Sequence, residues 1–193
     1  MIINLKVSQH RSNINKIILA NGCFWCTEAI FQQLNGVLSV MPGYSGGHRE
    51  NPSYEQVSVG VSGHAEAIQI EYESKIISLE TLLDVFWHTH NPTTLNKQGN
   101  DEGEQYRSAI FYANENEKII AKKSKIKFEA EGLYSDPIVT EITKFKNFYP
   151  AESYHKNYYK IHSEEPYCQF VIKPKLEKFW SKYSKLTKKS ATS

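Results

Sequence analysis

The sequence is short of several things. Of its 193 residues only three are cysteine and two are methionine, and the net charge is only +2. Three cysteines are too few, and odd in number, for a disulfide scaffold. They fit a reduced, cytoplasmic setting in which cysteine chemistry is catalytic or redox. A charge so near zero argues against a strongly basic nucleic-acid binder, so no nucleic-acid partner is expected. No run approaches the roughly 18 apolar residues of a membrane span, so no membrane association is expected. The opening MIINLKVSQHRSNINK has no continuous apolar core and no small-residue cleavage site, which predicts no secretory signal. Internal repeats and low-complexity blocks are absent. A second C-x-x-C or a paired-histidine motif at zinc-ligand spacing is also missing, so neither a metal nor another cofactor is expected.

What is present is an ordinary globular balance, with 40% apolar and 23% charged residues. That is enough for one domain with one core, and a monomer is expected. Twelve Tyr and nine Phe make the chain aromatic-heavy. Residues 1–15 read as a polar lead-in, 16–170 as the catalytic domain and 171–193 as a basic helix or tail. Strands are predicted at 16–21, 64–73, 106–113 and 136–145, with a short one opening VLSVMPGYSGG. Helices are predicted from Cys23 to Leu34, over 77–90 with Ser78 as cap, from Asn114 to near Gly132, over 152–162, and in the tail. Residues 51–63 and 91–105 read as loop and polar connector. This order lacks the steady alternation of a doubly wound sheet. It predicts an α+β fold, a two-layer, ferredoxin-like sandwich whose mainly antiparallel sheet carries helices on one face. Long loops in such a domain usually build a site.

The most chemical segment is GCFWCTE, residues 22–28. Cys23 lies where a strand turns into a helix, and the unpaired N–H groups of a helix start favour a thiolate. Phe24 and Trp25 either pack in the core or wall a small apolar pocket beside that sulfur. Cys26 is read three ways: as redox partner of Cys23, as half of a zinc site, or as a small core residue on a stripe with Ile30 and Leu34. Alternation puts Glu66 at the head of an apolar face with Ile68, Ile70 and Tyr72. Burial there would raise its pKa and make it an acid at neutral pH, whereas an exposed strand end would leave it to meet a cation. Tyr44, Tyr54 and Tyr106 sit in loops rich in Gly, Pro and polar residues, as packing anchors or as donors to an oxygen that gains charge. Asp101 and Arg107 flank Tyr106, to orient it or to pair with each other. The seven lysines of the tail (Lys173, Lys175, Lys178, Lys182, Lys185, Lys188 and Lys189) read as a solvated face or a docking surface for an acidic partner.

GCFW-x-x-E, the GYSGG–NPSY loop, GHAEA and NPTTLNKQGNDEGEQYRSAIF occur in one order over about residues 16–170. Together they resemble the A-type peptide methionine sulfoxide reductases, enzymes that restore methionine from its sulfoxide. The resemblance implies that Cys23 is the nucleophile and that Phe24 and Trp25 receive the substrate methyl group. It implies that Glu66 protonates the sulfoxide oxygen, that Tyr54 and Tyr106 hydrogen-bond it, and that Asp101 helps arrange the site. It further implies selectivity for the S epimer, a sulfenic acid intermediate and regeneration by thioredoxin or another dithiol. Substrates would be free methionine sulfoxide or oxidised proteins. Two departures stand out. Cys26 replaces the more usual Gly, and the Gly-rich tail is replaced by PYCQFVIKPKL. Cys168 matches the family's first recycling cysteine and is the expected resolving thiol, with Cys26 as the alternative. His155, in ESYHKNYY, matches a family motif but is given no role.

Two rival functions compete with this reading. A thioredoxin-like protein disulfide oxidoreductase would use Cys23 and Cys26 directly on disulfides. It would carry Trp just before the first cysteine and a later cis-proline. A non-enzymatic binding module would use the aromatic loops and the basic tail, and would not need Cys23.

Overall fold

The chain opens on β1 (Ile14–Asn21), whose apolar run reads as continuous because both faces are covered. Ile17 and Leu19 point to one side of the sheet, Ile18 and Ala20 to the other. The structure, a computed structural model, describes residues 13–188; most of the polar lead-in and Lys189 lie outside the described residues. Seven further strands follow: β2 (Val37–Ser45), β3 (Ala65–Glu73), β4 (Lys97–Gln98), β5 (Asp101–Glu102), β6 (Ser108–Tyr112), β7 (Glu141–Lys144) and β8 (Phe148–Pro150). The main sheet runs β7-β6-β1-β3-β2-β8, and β4 pairs only with β5. All neighbours in the main sheet are antiparallel except β6 and β7.

The helices are α1 (Phe24–Phe31), α2 (Tyr54–Ser58), α3 (Leu79–His88), α4 (Glu115–Glu129), α5 (Tyr158–Ile161) and α6 (Lys173–Tyr183). One core cluster joins Ile17, Leu19, Ile68, Ile70 and Ile110 of the sheet to Phe31, Leu83, Phe86, Phe128 and Phe179 of the helices. The opposite face is lined by Ile18, Ala20, Ala65, Ala67, Ala109 and Phe111, with Phe145 and Phe148 packed over it. Small alanines let these chain segments lie close to the sheet. One tight approach is at Gly43, where a Cβ would stand 2.4 Å from the Phe148 ring and from the Tyr149 carbonyl oxygen. The molecule is thus a mixed α/β fold with its helical core on one side of a mainly antiparallel sheet.

Several boundaries differ from the sequence reading, for local reasons. The 51–63 loop contains α2, opened by a capping box between Ser53 and Gln56. The strand over 136–145 shrinks to β7, and β8 was not foreseen. The 152–162 helix splits into a single turn at Ser153–His155 and α5, because Asn157 takes a left-handed conformation between them. The tail helix forms as α6, and its Leu176, Phe179 and Tyr183 are buried in the main core.

Candidate active site

β1 ends beside β3, and Gly22 makes the turn into α1 with φ +98, a backbone state that favours glycine. The turn is tight: a Cβ at Gly22 would meet Gln98 side-chain atoms at 2.7 and 2.8 Å. Gln98 is itself fixed by hydrogen bonds to both backbone groups of Asn91. Cys23 then caps α1 without a side-chain bond, and its carbonyl accepts the first intrahelical bond from Thr27 at 3.3 Å. A helix start leaves N–H groups without partners. Here the Phe24 N–H donates to Glu66 Oε2 at 3.0 Å, so the carboxyl group of β3 is held against the first turn of α1.

Glu66 is 2% exposed. Burial pushes its pKa up to about 8, Asp101 adds to the rise, and the bond from Phe24 opposes it. A carboxyl group in this position is mostly protonated at neutral pH. The hydroxyls of Tyr54 and Tyr106 are half-buried, and both phenols are driven upward by burial, then by the charges of Glu66 and Cys23. They are therefore neutral donors grouped around the same acid and sulfur. Glu152 holds one of them in place: its carboxylate accepts from the Tyr54 N–H at 2.9 Å and from the Tyr44 hydroxyl at 2.8 Å. Tyr44 is fully buried and serves as an anchor.

Phe24 is 1% exposed and packs against Tyr44 and His155, while Trp25 is half-buried. Trp25 stacks on Tyr158 at 3.6 Å between ring centroids, and its Nε1–H donates to His155 Nδ1 at 3.1 Å. The buried Nε2 of His155 has no hydrogen-bond partner and lies 3.9 Å from Glu152. The glutamate of GCFW-x-x-E, Glu28, is 1% exposed and accepts the Asn157 N–H with both oxygens. It thereby sets the left-handed Asn157 and, one residue on, the Tyr158 ring under Trp25.

All three cysteines are free thiols and all are buried. The expectation that the helix start makes Cys23 a thiolate is overturned for this resting state. Burial pushes the Cys23 thiol well above its usual range, and its neighbours Cys26 and Glu66 push it further. Cys26, three residues on, goes the other way, down to about 7, because the Cys23 thiol donates to it and Lys175 stands nearby. Lys175 Nζ donates to Cys26 Sγ at 3.5 Å, and the Tyr167 hydroxyl lies 3.9 Å from the same sulfur. Tyr167 also donates to Asp101 Oδ2 at 3.1 Å. Cys168 is completely buried in a wide helical turn (Cys168–Ile172), and desolvation raises its thiol.

The structure thus gathers Cys23, Phe24, Trp25, Glu66, Tyr54, Tyr106 and Asp101, with Cys26 in the first turn of the same helix. Sequence reasoning missed Tyr167, Lys175, Glu152 and the part of His155. Tyr167 stood in view beside Cys168, and Lys175 was counted as one of a solvated run. Arg107 does not pair with Asp101; it bonds the carbonyls of Glu104 and Gly63 and faces Glu141. Among the described residues, the side chains grouped as if for a metal ion are Asp84, His88 and Glu131, none of which belongs to this site. They already satisfy one another: His88 Nε2 lies 2.9 Å from Glu131, and Tyr183 donates to Asp84 at 2.7 Å.

An acid that keeps its proton at neutral pH, aimed at a helix start capped by a thiol, is the apparatus of a thiol-dependent reductase acting on a bound oxygen. Comparison with known proteins narrows that class. A family model described as peptide methionine sulfoxide reductase matches residues 15–188. The peptide methionine sulfoxide reductase MsrA of Polynucleobacter asymbioticus is 47% identical over 173 residues, 90% of this chain and 91% of its own. Mxr1 from Saccharomyces cerevisiae in reduced form superposes with a TM-score of 0.74 at 32% identity, covering 82% of this chain and 91% of that one. Mxr1 in complex with Trx2 gives 0.52 at 25% identity, with coverages of 76% and 86%. The chain belongs to the peptide methionine sulfoxide reductase family.

Proposed function

We propose that this chain reduces methionine S-sulfoxide, free or in proteins, to methionine, with Cys23 as nucleophile. The observation that carries the reading is Glu66: a buried, protonated acid bonded to the N–H next to the attacking sulfur. Cys23 must lose its proton, to solvent, as it attacks the sulfoxide sulfur. Glu66 gives its proton to the sulfoxide oxygen while the Tyr54 and Tyr106 hydroxyls donate to it. Asp101 orders this side of the site through its bond from Tyr167. Methionine leaves, and Cys23 carries the oxygen as a sulfenic acid. Phe24 and Trp25 offer the apolar wall for the methyl group. Methyl and oxygen then have separate places, which supports selectivity for one epimer at sulfur.

A second thiol condenses with the sulfenic acid, and an external dithiol reduces the resulting disulfide. The family match supports Cys168 in this role, and the contact with Cys23 supports Cys26. The complex of the related Mxr1 with Trx2 supports a thioredoxin as reductant. We read the enzyme as a cytoplasmic monomer that repairs oxidised protein; its free cysteines agree with a reduced compartment. Among the described residues no helix is long and apolar enough to cross a membrane. We also read the sheet as ferredoxin-like, since its inner strands follow the order β6-β1-β3-β2. The disulfide-oxidoreductase alternative is disfavoured: Trp25 lies between the two cysteines and not before the first.

The reading is tested by methionine release in one turnover without reductant. Cys23→Ser should release none, and Cys26→Ser should still give its burst. Loss of the burst in Cys26→Ser with retention in Cys23→Ser would overturn the assignment.

A further inference from the structure

The tail helix reaches the redox centre with a single cation. Lys175 lies near the start of α6, on the turn before the buried Leu176, and is half-buried instead of solvated. Its ammonium donates to Cys26 Sγ at 3.5 Å, across 149 residues of sequence. The other described lysines of the tail, Lys173, Lys178, Lys182, Lys185 and Lys188, make no such contact. Cys26 also lies three residues from Cys23, one helical turn away at the start of the same helix. Cys168 has no such partner: it is 0% exposed and packed in the core with Ile172, and no ammonium among the described residues donates to its sulfur.

We propose that Cys26, held as an ion pair by Lys175, is the thiol that attacks the Cys23 sulfenic acid, and that Lys175 is a positioning residue for this second half-reaction. This rests on the reductase reading above and assigns its unresolved step. The balance is simple. Reduction of the sulfoxide leaves Cys23 as –S–OH, two electrons poorer. The Cys26 sulfur then attacks the Cys23 sulfur, an S–S bond forms, and the S–O bond breaks. The departing hydroxide takes up one proton from solvent and leaves as water. An external dithiol later returns the two electrons and two protons by exchange.

The groups that face Cys26 come from several elements: Cys23 on its own helix, Lys175 on α6, Tyr167 on the preceding segment, Glu66 on β3 and Cys168 in the wide turn. The neighbouring Cys23 thiol favours the Cys26 anion most, and Lys175, the only cation among these groups, adds a direct attraction to it. A thiolate attacks and a thiol does not, although a lower pKa also lowers intrinsic nucleophilicity. Removing the ammonium should therefore slow the step several-fold to about tenfold at pH 7. The deficit should shrink near pH 9, the ordinary thiol value, where the thiolate forms unaided.

The test uses the full chain and one equivalent of methionine sulfoxide, quenched over time and analysed by mass spectrometry for sulfenic acid and for linked cysteines. Wild type should give a methionine burst followed by a Cys23–Cys26 bond. Lys175→Met should give the same products with a sulfenic acid that lives up to about tenfold longer at pH 7 and converges on wild type near pH 9. Lys175→Arg, which keeps the cation, should restore most of the rate. A merely structural loss would neither close at high pH nor be rescued by Arg. Equal sulfenic acid lifetimes at every pH, or a Cys23–Cys168 bond in wild type, would overturn the proposal while leaving the reductase reading intact. Absence of any methionine burst in wild type would overturn both.

Discussion

Glu66→Gln should separate activity from stability, in opposite directions. Glutamine keeps the shape and a carbonyl oxygen, so the Phe24 N–H keeps its acceptor. What is lost is a proton to give. With the Glu66 pKa at about 8, roughly nine in ten molecules hold that proton at pH 7. A positioned general acid contributes about 10²–10⁴ in rate, so methionine release in the first turnover should fall at least about 100-fold. In wild type that rate should decline as pH rises through about 8, and the variant should lack this decline. Stability runs the other way. The folded carboxyl group titrates near 8 and an unfolded one near 4.5, so between these values the fold holds a proton that the unfolded chain has released. Stability therefore falls as pH climbs through this window, and the full penalty is present above about 8. A displacement of this size corresponds to roughly 5 kcal/mol at most. Glu66→Gln removes the penalty, so it should melt above wild type at pH 9, with the margin vanishing near pH 4. Rapid-quench kinetics and thermal melts across this range test both arms. A wild-type first turnover in the variant would refute the proton-donor role, and a variant less stable than wild type at pH 9 would refute the burial argument.

Trp25→Ala removes the Tyr158 stack and the bond to His155, and should lower kcat/KM about 10- to 200-fold, the range expected for losing one methyl-sized contact. Phe24→Ala should do the same and also cost about 3–5 kcal/mol in urea unfolding, because the ring is fully buried. Glu152→Ala leaves the Tyr44 hydroxyl and the Tyr54 N–H without their acceptor, and should cost about 1–3 kcal/mol while lowering kcat more than binding. Gly22→Ala adds a Cβ against Gln98 at an unfavourable φ, so both melting temperature and single-turnover rate should drop. An unchanged rate there would mean that the turn does not place Cys23.

Much of the frame was legible because its signals are local. The alternation of β3 put Glu66 on the apolar face, and the contacts of Ile68 and Ile70 agree. Ser78 and Asn114 cap α3 and α4 as their spacing implied. The Ser53–Gln56 box was equally visible but was submerged in a segment full of turn residues. What the sequence could not display are contacts between distant elements. Lys175 and Cys26 are 149 positions apart, and nothing in a lysine-rich helix distinguishes the one lysine that faces inward. The charge state of Cys23 was misjudged for the same reason. A helix start argues for a thiolate, but burial and a neighbouring sulfur oppose it more strongly. Where β7 ends and where Asn157 interrupts a helix depend on tertiary contacts such as the Glu28 clamp, which act against local propensity.

The central claim is that oxygen passes from the substrate to the sulfur of Cys23. It is tested most directly with ¹⁸O-labelled methionine sulfoxide and a chain lacking the other two thiols, Cys26→Ser with Cys168→Ser, analysed by intact-peptide mass spectrometry after one turnover. The account predicts one methionine released per chain and one ¹⁸O atom on the peptide that contains Cys23. Methionine released with no label on that peptide would contradict it.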